Sequence, residues 1–452
     1  MSTDQVTIPL PERPNLEQLK KRAREISKEL GIKLSEAQFH MAQGYGFASW
    51  PKLKRHVELV MQLTRIPDEA PETFLTLACI FTVDEPGRIA RAEALLAEDP
   101  LLRGRDIWHA AACANADGIR GDASAQGGPF AWEPLMYLCY SRIAASEADV
   151  LATANALLDA GADPNVGYLW HGFPTPFTAL TGVFGAGEGG EAPHPYWQSL
   201  ARLLLERGAD ANDGQALYNR QFRRGKDHLA LLFEYGLGSG DGGPWTQRMG
   251  AQVETPFEMV QHQLRWAVHH DHYDRVQLFI DNGVDVNTPF DGSPAWAHQA
   301  RGRTPVEFAA MCGHDDIVAL LEEHGARAPQ LSGTDAFVAD VMAGRAPTGD
   351  ATAARAARPS LVVQAAATGR ADAVERALEA GFDIDALGRS DAPVEQPWET
   401  ALHTAVNNND AAMVQLLLDR GADPSIQDAR YHATPLGWAE HFDNTELAKL
   451  FA

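Results

Sequence analysis

Apolar and polar positions follow a helical period in one stretch near the C-terminus, residues 400–428. This stretch reads TALHTAVNNNDAAMVQLLLDRGADPSIQD. Leu402, Ala405 and Val406 lie on one face of a first predicted helix, because residues three and four apart share a helical face. A second apolar face follows in residues 413–418. The pattern predicts two short helices in succession, each with one buried side.

The ends of both helices carry recognisable signals. Thr400 can cap the first helix, since its hydroxyl accepts a hydrogen bond from an early backbone amide. Residues 407–410 break that helix. Gly421 suits the left-handed position just beyond the second helix, and Pro424 prevents its continuation. One such pair cannot bury its apolar faces alone, so it requires similar pairs beside it.

Similar copies recur along the chain. They read NALLDAGADPN at 155–165, LARLLLERGADAN at 200–212, VQLFIDNGVDVN at 276–287, RTPVEFAAMCGHDDIVALLEEHGA at 303–326 and ATPLGWA at 433–439. These segments, with residues 400–428, resemble the ankyrin repeat, whose pattern is T-P-L-H-x-A, then G-H, then V-x-x-L-L-x-x-G-A-D-x-N. The resemblance covers most of residues 72–452.

The fold implied by this resemblance is an all-α ankyrin-repeat solenoid of roughly nine irregular helix pairs. We predict three regions. Residues 1–66 form a basic N-terminal module of three helices, residues 72–332 form a first block of repeats with long loops, and residues 333–452 form a second block. A degenerate, Ala-rich stretch at 333–359 suggests a seam between the blocks.

The N-terminal module stands apart in charge. Residues 13–55 contain ten Lys and Arg against four Asp and Glu, so the segment is near +6. The phrase YGFASWPKLKRHVE resembles a leader module found ahead of ankyrin arrays in bacterial proteins. Its simplest role is a cap over the first repeat. Docking of nucleic acid or a partner is the alternative for its basic helix.

The rest of the chain is strongly acidic. The whole chain carries 38 Lys and Arg against 61 Asp and Glu, a net charge of -23. The remainder outside residues 13–55 is therefore near -29, which argues against general binding to nucleic acid. No run is apolar enough for a membrane span or signal core, so we expect a soluble, cytoplasmic protein. The four scattered cysteines are expected to be reduced and buried.

Partners of ankyrin arrays usually occupy a groove formed by the inner helices and the turn tips, and this resemblance assigns the candidate binding residues. At the inner-helix ends they are Tyr140, Phe222, Arg223, His269, His270, Met311, Asn407, Asn408 and His441. At the tips they are Arg301, Arg303, Trp398 and Tyr431. Aromatic residues and arginine are enriched at interface hot spots.

Two long inter-repeat loops add aromatic candidates. Trp170 lies in the loop YLWHGF at 168–173, and Trp296 lies in the loop at 290–298. Long loops often carry binding residues, which favours a role in recognition. The alternative is that these rings fold back and pack on neighbouring repeats, as large aromatic side chains commonly do.

No motif for catalysis or metal binding is present. The cluster His262, His269, His270 and His272 lacks the H-E-x-x-H spacing and any matched cysteine pair. The sequence has no G-x-S-x-G and no G-x-x-x-x-G-K-[ST]. We therefore predict no metal and no cofactor.

The leading functional hypothesis is a scaffold that binds a protein partner through the groove and the aromatic loops. The alternative is an enzyme or small-molecule binder, with a pocket built on the array and lined by His269, His270 and Arg303. The sequence does not identify the partner or the ligand, because function depends on the site rather than on the fold.

Overall fold

The structure is a computed structural model. It describes residues 16–30, 32–45, 50, 53–54, 57, 70–79, 87–169, 172–185, 191–291, 299–331, 333–389, 397–442 and 444–451. The chain divides into two compact units, Met1–Met259 and Val260–Ala452. The predicted seam at residues 333–359 lies inside the second unit.

The first unit contains twelve labelled helices and one hairpin within the described residues. The helices are α1 (Leu16–Leu30), α2 (Leu34–Gly44), α3 (Ala70–Ala78), α4 (Arg88–Glu98), α5 (Ile107–Ala112), α6 (Pro134–Tyr140), α7 (Glu147–Asp159), α8 (Ala179–Phe184), α9 (Trp197–Glu206), α10 (Gly214–Gln221), α11 (Asp227–Glu234) and α12 (Gly243–Met249). The hairpin strands β1 (Gly167–Leu169) and β2 (Pro176–Thr178) are antiparallel, with Tyr168 opposite Phe177.

Two rows of helices build the first unit. Its inner row is α3, α5, α6, α8 and α10, in which each helix packs on the next. The outer helices α7 and α9 pack side by side behind α6 and α8. Helices α1 and α2 form a separate small core with Leu53 and Val57 from the third predicted helix.

The second unit continues the pattern from α13 onward. Its helices are α13 (Pro256–His269), which crosses the division, α14 (Tyr273–Asp281), α15 (Pro305–Cys312), α16 (Asp315–Glu323), α17 (Thr334–Met342), α18 (Ala351–Ala357), α19 (Leu361–Ala367), α20 (Ala371–Glu379), α21 (Ala401–Asn407), α22 (Ala411–Asp419), α23 (Pro435–His441) and α24 (Thr445–Ala448). Helices α19, α21 and α23 pack in sequence as inner helices, and α20, α22 and α24 pack behind them. Their facing sides form one apolar core.

The helix ends follow from the sequence. Thr400 caps α21 by accepting from the His403 amide, and Gly421 has a positive φ of 86° just beyond α22. Thr304 and Glu307 form a reciprocal capping box at α15, with the Thr304 amide 2.9 Å from the Glu307 carboxylate. These caps satisfy amides that have no partner within the helix. The predicted ends of the two helices in residues 400–428 are confirmed.

The closing asparagine of the G-A-D-x-N motif ties consecutive repeats together. Asn165 donates to the Gly208 carbonyl at 2.9 Å and accepts from the Asp210 amide at 2.8 Å. Asn287 makes the equivalent pair with the Gly325 carbonyl and the Arg327 amide, both at 3.0 Å. An amide side chain can donate and accept at once, which explains why asparagine stands at this position. The motif therefore fixes the spacing of neighbouring turns.

Two elements depart from plain helix pairs. The loop after residue 166 forms the β1–β2 hairpin instead of an irregular connection. The Gly-rich segment at 236–256 is an insertion between helix pairs and contains α12. The Trp245 indole of α12 donates to the Asn165 carbonyl at 2.9 Å, which anchors the insertion on an earlier repeat. Both elements extend the first unit without changing its predicted all-α repeat architecture.

Within the described residues, no helix combines the length and the apolarity that crossing a bilayer would require. All four cysteines, Cys79, Cys113, Cys139 and Cys312, are buried and free, as predicted.

Candidate functional site

Four aromatic side chains of the second unit form a continuous row, which we call the aromatic strip: Trp398, Tyr431, Trp438 and Phe442. Tyr431 lies in the turn before α23 and contacts Trp398 at 5.7 Å between ring centroids. Trp398 contacts Trp438 of α23 at 5.3 Å, and Trp438 contacts Phe442 at 6.4 Å. The strip therefore runs from an inter-repeat turn to the far end of an inner helix.

The strip has a buried base and exposed ends. Trp438 is only 7% exposed, whereas Tyr431 is 56% exposed and Phe442 is 51% exposed. A single exposed aromatic ring is ordinary, but a contiguous set on one surface is typical of an interaction site. Rings held by a buried base also lose little conformational entropy when a partner covers them.

Arg430 places a cation on this surface. Its guanidinium carbon lies 5.5 Å from the centroid of the Trp398 ring and 5.3 Å from that of Tyr431. The side chain is exposed. Among the residues that the structure describes, no carboxylate forms an ion pair with Arg430. The two rings hold the guanidinium in place, and its N–H groups remain available to a hydrogen-bond acceptor of a partner.

Asp428 holds the turn that carries Arg430 and Tyr431. Its carboxylate accepts from the Arg430 amide at 2.8 Å, the Ala433 amide at 3.0 Å and the Trp438 indole at 3.0 Å, and also from the Tyr431 amide. Burial opposes ionisation, but these four donors together hold the pKa of Asp428 below its usual value. A charged carboxylate therefore fixes both the turn and the base of the strip.

His403 connects the strip to the preceding inner helix. Its Nε2 lies 3.0 Å from the Ala433 carbonyl and its Nδ1 lies 2.8 Å from the Thr400 hydroxyl. Burial lowers the pKa of His403, so the neutral ring donates from Nε2 to the carbonyl. Its ring also contacts Trp438 edge-on at 5.0 Å. This is the histidine of the T-x-L-H pattern, and its role here is to position the next turn.

Several predicted groove residues lie at the ends of inner helices in this unit. Asn407, Asn408 and His441 are exposed. The His441 ring lies 5.4 Å from Phe442, which places His441 beside the strip. Asn408 donates to the Ala367 carbonyl at 3.2 Å, across to the previous inner helix. Of the predicted residues, Trp398, Tyr431 and His441 are thus brought together.

The other predicted tip residues have separate surroundings. Arg303 is half-buried and pairs with Asp335 at 2.6 Å, so its charge stabilises neighbouring turns. Arg301 is exposed and donates to the Asp291 carbonyl at 3.1 Å. In the first unit, Phe222 and Arg223 are exposed at the end of α10, where Phe222 contacts Tyr218 edge-on.

The histidines at the end of α13, His269 and His270, are half-buried and pack on neighbouring rings. His269 stacks on Phe308 at 5.8 Å and its Nδ1 lies 3.8 Å from the Cys312 sulfur. Burial, with nearby His270, Arg265 and His314, holds the pKa of His269 well below its usual value. Burial raises the pKa of Cys312 to about 12. The pair is therefore a neutral imidazole beside a neutral thiol, unsuited to nucleophilic chemistry.

Two further predicted residues of this region also have internal contacts. His270 stacks on Trp266 at 3.9 Å, and Met311 is buried. Among the described residues, no three or more of His, Cys, Asp and Glu are grouped so as to hold a metal ion.

A second group of rings in the first unit, which we call the enclosed cluster, comprises Phe130, Trp132, Tyr137, Tyr140, Tyr168 and Phe177. Trp132 contacts Tyr140 at 5.0 Å and Tyr168 at 5.2 Å. The Tyr140 hydroxyl donates to the Thr178 carbonyl at 3.0 Å, and the ring is buried. The predicted groove residue Tyr140 thus contacts the β1–β2 hairpin. Trp170 and Trp296 lie outside the described residues.

Sequence reasoning placed Phe442 at the groove together with His441, but it did not assign Arg430 or Trp438 to the site. Trp438 lies in ATPLGWA, at a position that is usually read as part of the helix core. Arg430 lies in a turn whose register only the fold reveals. The pairing of Arg430 with Tyr431, adjacent in sequence, was the one available signal.

The repeat pattern is confirmed by comparison with known families. Residues 264–322 and residues 391–436 each match a family described as ankyrin repeats (many copies). Both stretches of the chain are ankyrin repeats. The aromatic strip and its supporting residues lie mostly within the second matched stretch. Ankyrin repeats are generally protein-interaction modules, which present extended surfaces built from successive repeats.

Known relatives match the chain over limited lengths. An ankyrin repeat-containing protein of Treponema pallidum (strain Nichols) is 27% identical over 177 residues, covering 39% of this chain and 46% of the relative. Myotrophin of Xenopus tropicalis is 36% identical over 61 residues, covering 14% of this chain and 44% of the relative. The matched regions thus span less than half the length of these relatives.

Proposed function

We propose that the protein is a scaffold that binds a protein partner through the aromatic strip and Arg430. The observation that carries this proposal is the arrangement of an exposed arginine over two ring faces at one end of a continuous aromatic row. Tyrosine, tryptophan and arginine are the residue types that dominate interface hot spots. The strip and Arg430 together offer all three, and Asp428 fixes the turn that carries Arg430 and Tyr431.

The neighbouring groups suggest how the partner is held. Tyr431 and Phe442 present apolar area, while Arg430 can donate to a carbonyl or carboxylate of the partner. His441, Asn407 and Asn408 supply polar groups around the exposed ends, as a polar rim does in known interfaces. No bond needs to be made or broken by the protein in this role.

The test compares two full-length variants in pull-downs from native lysate, quantified by mass spectrometry. Arg430→Ala/Tyr431→Ala/Phe442→Ala removes the exposed strip groups and leaves its buried base. Tyr273→Ala/Arg327→Ala is the matched control, because both of its residues are exposed in the same unit. We expect the triple variant to lose specific partners that the control retains.

A purified partner then gives the affinity change by calorimetry. Loss of hot-spot residues should weaken binding by roughly 30-fold or more, since each commonly contributes about 2 kcal/mol. Unchanged circular dichroism at helical wavelengths establishes that the variant is folded. Equal recovery of every partner by the triple variant and the control would refute the proposal.

A further inference from the structure

A groove crosses the outer helices of the first unit, and we call it the outer groove. It lies between α7, α9 and α11 and encloses about 630 Å³. Trp197, Leu203 and Leu231 supply apolar walls. This surface is formed by the helices behind the inner row, so it is distinct from the aromatic strip of the second unit. The volume accommodates several long side chains but not a helix, whose diameter is about 10–12 Å.

The rim of the outer groove is acidic. Glu206, Asp227 and Glu234 line it, and Arg202 is the one basic residue among the lining side chains. Arg202 donates to Glu234 at 2.7 Å, Arg220 lies near Asp227, and Glu206 accepts from the Tyr235 hydroxyl at 3.4 Å. Three lining carboxylates thus face one lining cation, and the ion pair of that cation does not include Glu206 and Asp227. Both are exposed. An apolar floor with an acidic rim fits long basic side chains, because their methylene stems can cover apolar surface while the charge reaches a carboxylate.

The chain itself contains a segment with this chemistry. Lys21, Arg24 and Lys28 of α1 are exposed, and their spacing of three and four places them on one helical face. Leu19 and Ala23 face the other way, into the small N-terminal core. The segment of residues 13–55 is near +6 against about -29 for the remainder, as the residue counts give. The two surfaces are complementary in charge.

We propose that the outer groove of one copy binds the basic face of α1 from a second copy, so that the chain self-associates head to tail. Each copy carries both surfaces, and the contact joins unlike patches, which makes it a heterologous interface. Because the charges are exposed, salt should weaken it strongly.

The test uses sedimentation of the full chain over a range of concentrations. The native chain should form species larger than one copy at low salt and return to single chains at about 0.5 M salt, where screening is strong. Glu206→Lys/Asp227→Lys should remain a single chain at low salt, as should Lys21→Glu/Arg24→Glu/Lys28→Glu. Glu322→Lys/Glu323→Lys, which makes the same charge change on exposed residues of α16, should associate like the native chain.

The deciding experiment mixes the charge-reversed groove variant with the charge-reversed α1 variant. The basic groove of one then meets the acidic helix of the other, so association should return although neither variant associates alone. Misfolded variants would not recover in this way, which separates lost folding from lost contact. A native chain that stays single at low salt, a groove variant that still associates, or a mixture that stays single would each overturn the proposal.

Discussion

The enclosed cluster and the aromatic strip contain similar rings, yet their surroundings differ. In the first unit, Trp132 contacts Phe130 at 4.5 Å and Tyr137 at 5.5 Å and is 6% exposed. In the second unit, Trp438 is buried to a similar degree, but Tyr431 and Phe442 at its sides are more than half exposed. The difference is whether a neighbouring element covers the outer rings.

The covering element in the first unit is the β1–β2 hairpin. Tyr168 stands on β1 opposite Phe177 on β2, and the two rings stack at 5.6 Å. Burial raises the pKa of Tyr168 and of Tyr137 well above the ordinary tyrosine value. The hydroxyl of Tyr137 donates to the Gly127 carbonyl at 2.8 Å. These rings are committed to internal contacts.

In the aromatic strip the corresponding position is taken by Arg430, a charged side chain that rests on ring faces. A cation over a ring is stabilised by the ring quadrupole without excluding solvent from the rest of the surface. Aromatic residues in inter-repeat loops therefore do not by themselves indicate a binding site. Exposure and the nature of the covering group decide between packing and recognition.

Replacement of Trp132 by alanine should give the largest effect. The change removes a buried ring that contacts four aromatic rings among the described residues, and buried Trp→Ala substitutions cost about 3–5 kcal/mol. Tyr431→Ala, the matched deletion in the aromatic strip, should alter stability by less than about 1 kcal/mol, because its ring is largely in solvent. Hydrogen exchange of amides in α6 and α8, against those in α21 and α23, measures the two regions separately.

The result that contradicts this reading is a similar loss of protection for both variants. A small effect of Trp132→Ala would show that the enclosed cluster is loosely packed and could rearrange around a ligand. A large effect of Tyr431→Ala would assign the strip a structural role instead of a binding role.

Much of the second unit could be predicted from its sequence. Thr400, Thr304 and Gly421 mark helix ends through local backbone chemistry, so their roles need no knowledge of the fold. Asn165 and Asn287 were recognised as motif residues, but their bonds to the next repeat depend on how repeats stack. Local sequence signals therefore predict the helices and their ends, whereas the contacts between repeats depend on how the repeats stack.

The rest depended on tertiary contacts that spacing does not encode. Each strand of the β1–β2 hairpin has only three residues, too few for an alternating pattern to stand out. Helix α12 begins beside Gly242 and Gly243 in a glycine-rich segment, where composition favours a loop. Trp398 and Trp438 are forty residues apart, and only the stacking of α21 on α23 brings them together.

Acid should weaken the first unit through His194, which lies beyond α8. Its Nδ1 accepts from the Tyr196 amide at 3.2 Å, and burial, with nearby Arg142, lowers its pKa to about 3. The unfolded chain takes up this proton below about pH 6.5, whereas the folded chain does not. The contribution of neutral His194 to the free energy of unfolding is therefore fully present above pH 6.5. It falls as the pH drops towards 3, by about 2 kcal/mol at pH 5.

His194→Gln should remove this part of the pH dependence, because glutamine can accept the same hydrogen bond without titrating. Hydrogen exchange of α8 and α9 at pH 7 and pH 5, corrected for the intrinsic exchange rates, measures the difference between the native chain and the variant. Near the aromatic strip, Asp428 has a lowered pKa, so its contribution is lost only below its unfolded value near pH 4. An unchanged pH slope in the variant would rule out His194 as the source.

The smallest effects are expected when tyrosine is replaced by phenylalanine at one position in each region. Tyr140→Phe removes the donor to the Thr178 carbonyl inside the enclosed cluster, so it should cost about 1–2 kcal/mol, the usual penalty for an unpaired buried acceptor. Tyr431→Phe keeps its ring beneath Arg430 and should change stability by less than about 0.5 kcal/mol, as surface substitutions usually do. Denaturant unfolding measures the change in the free energy of unfolding, and hydrogen exchange of nearby amides measures the local change in each region. Equal costs would mean that the Tyr431 hydroxyl has a buried partner, which its 56% exposure argues against.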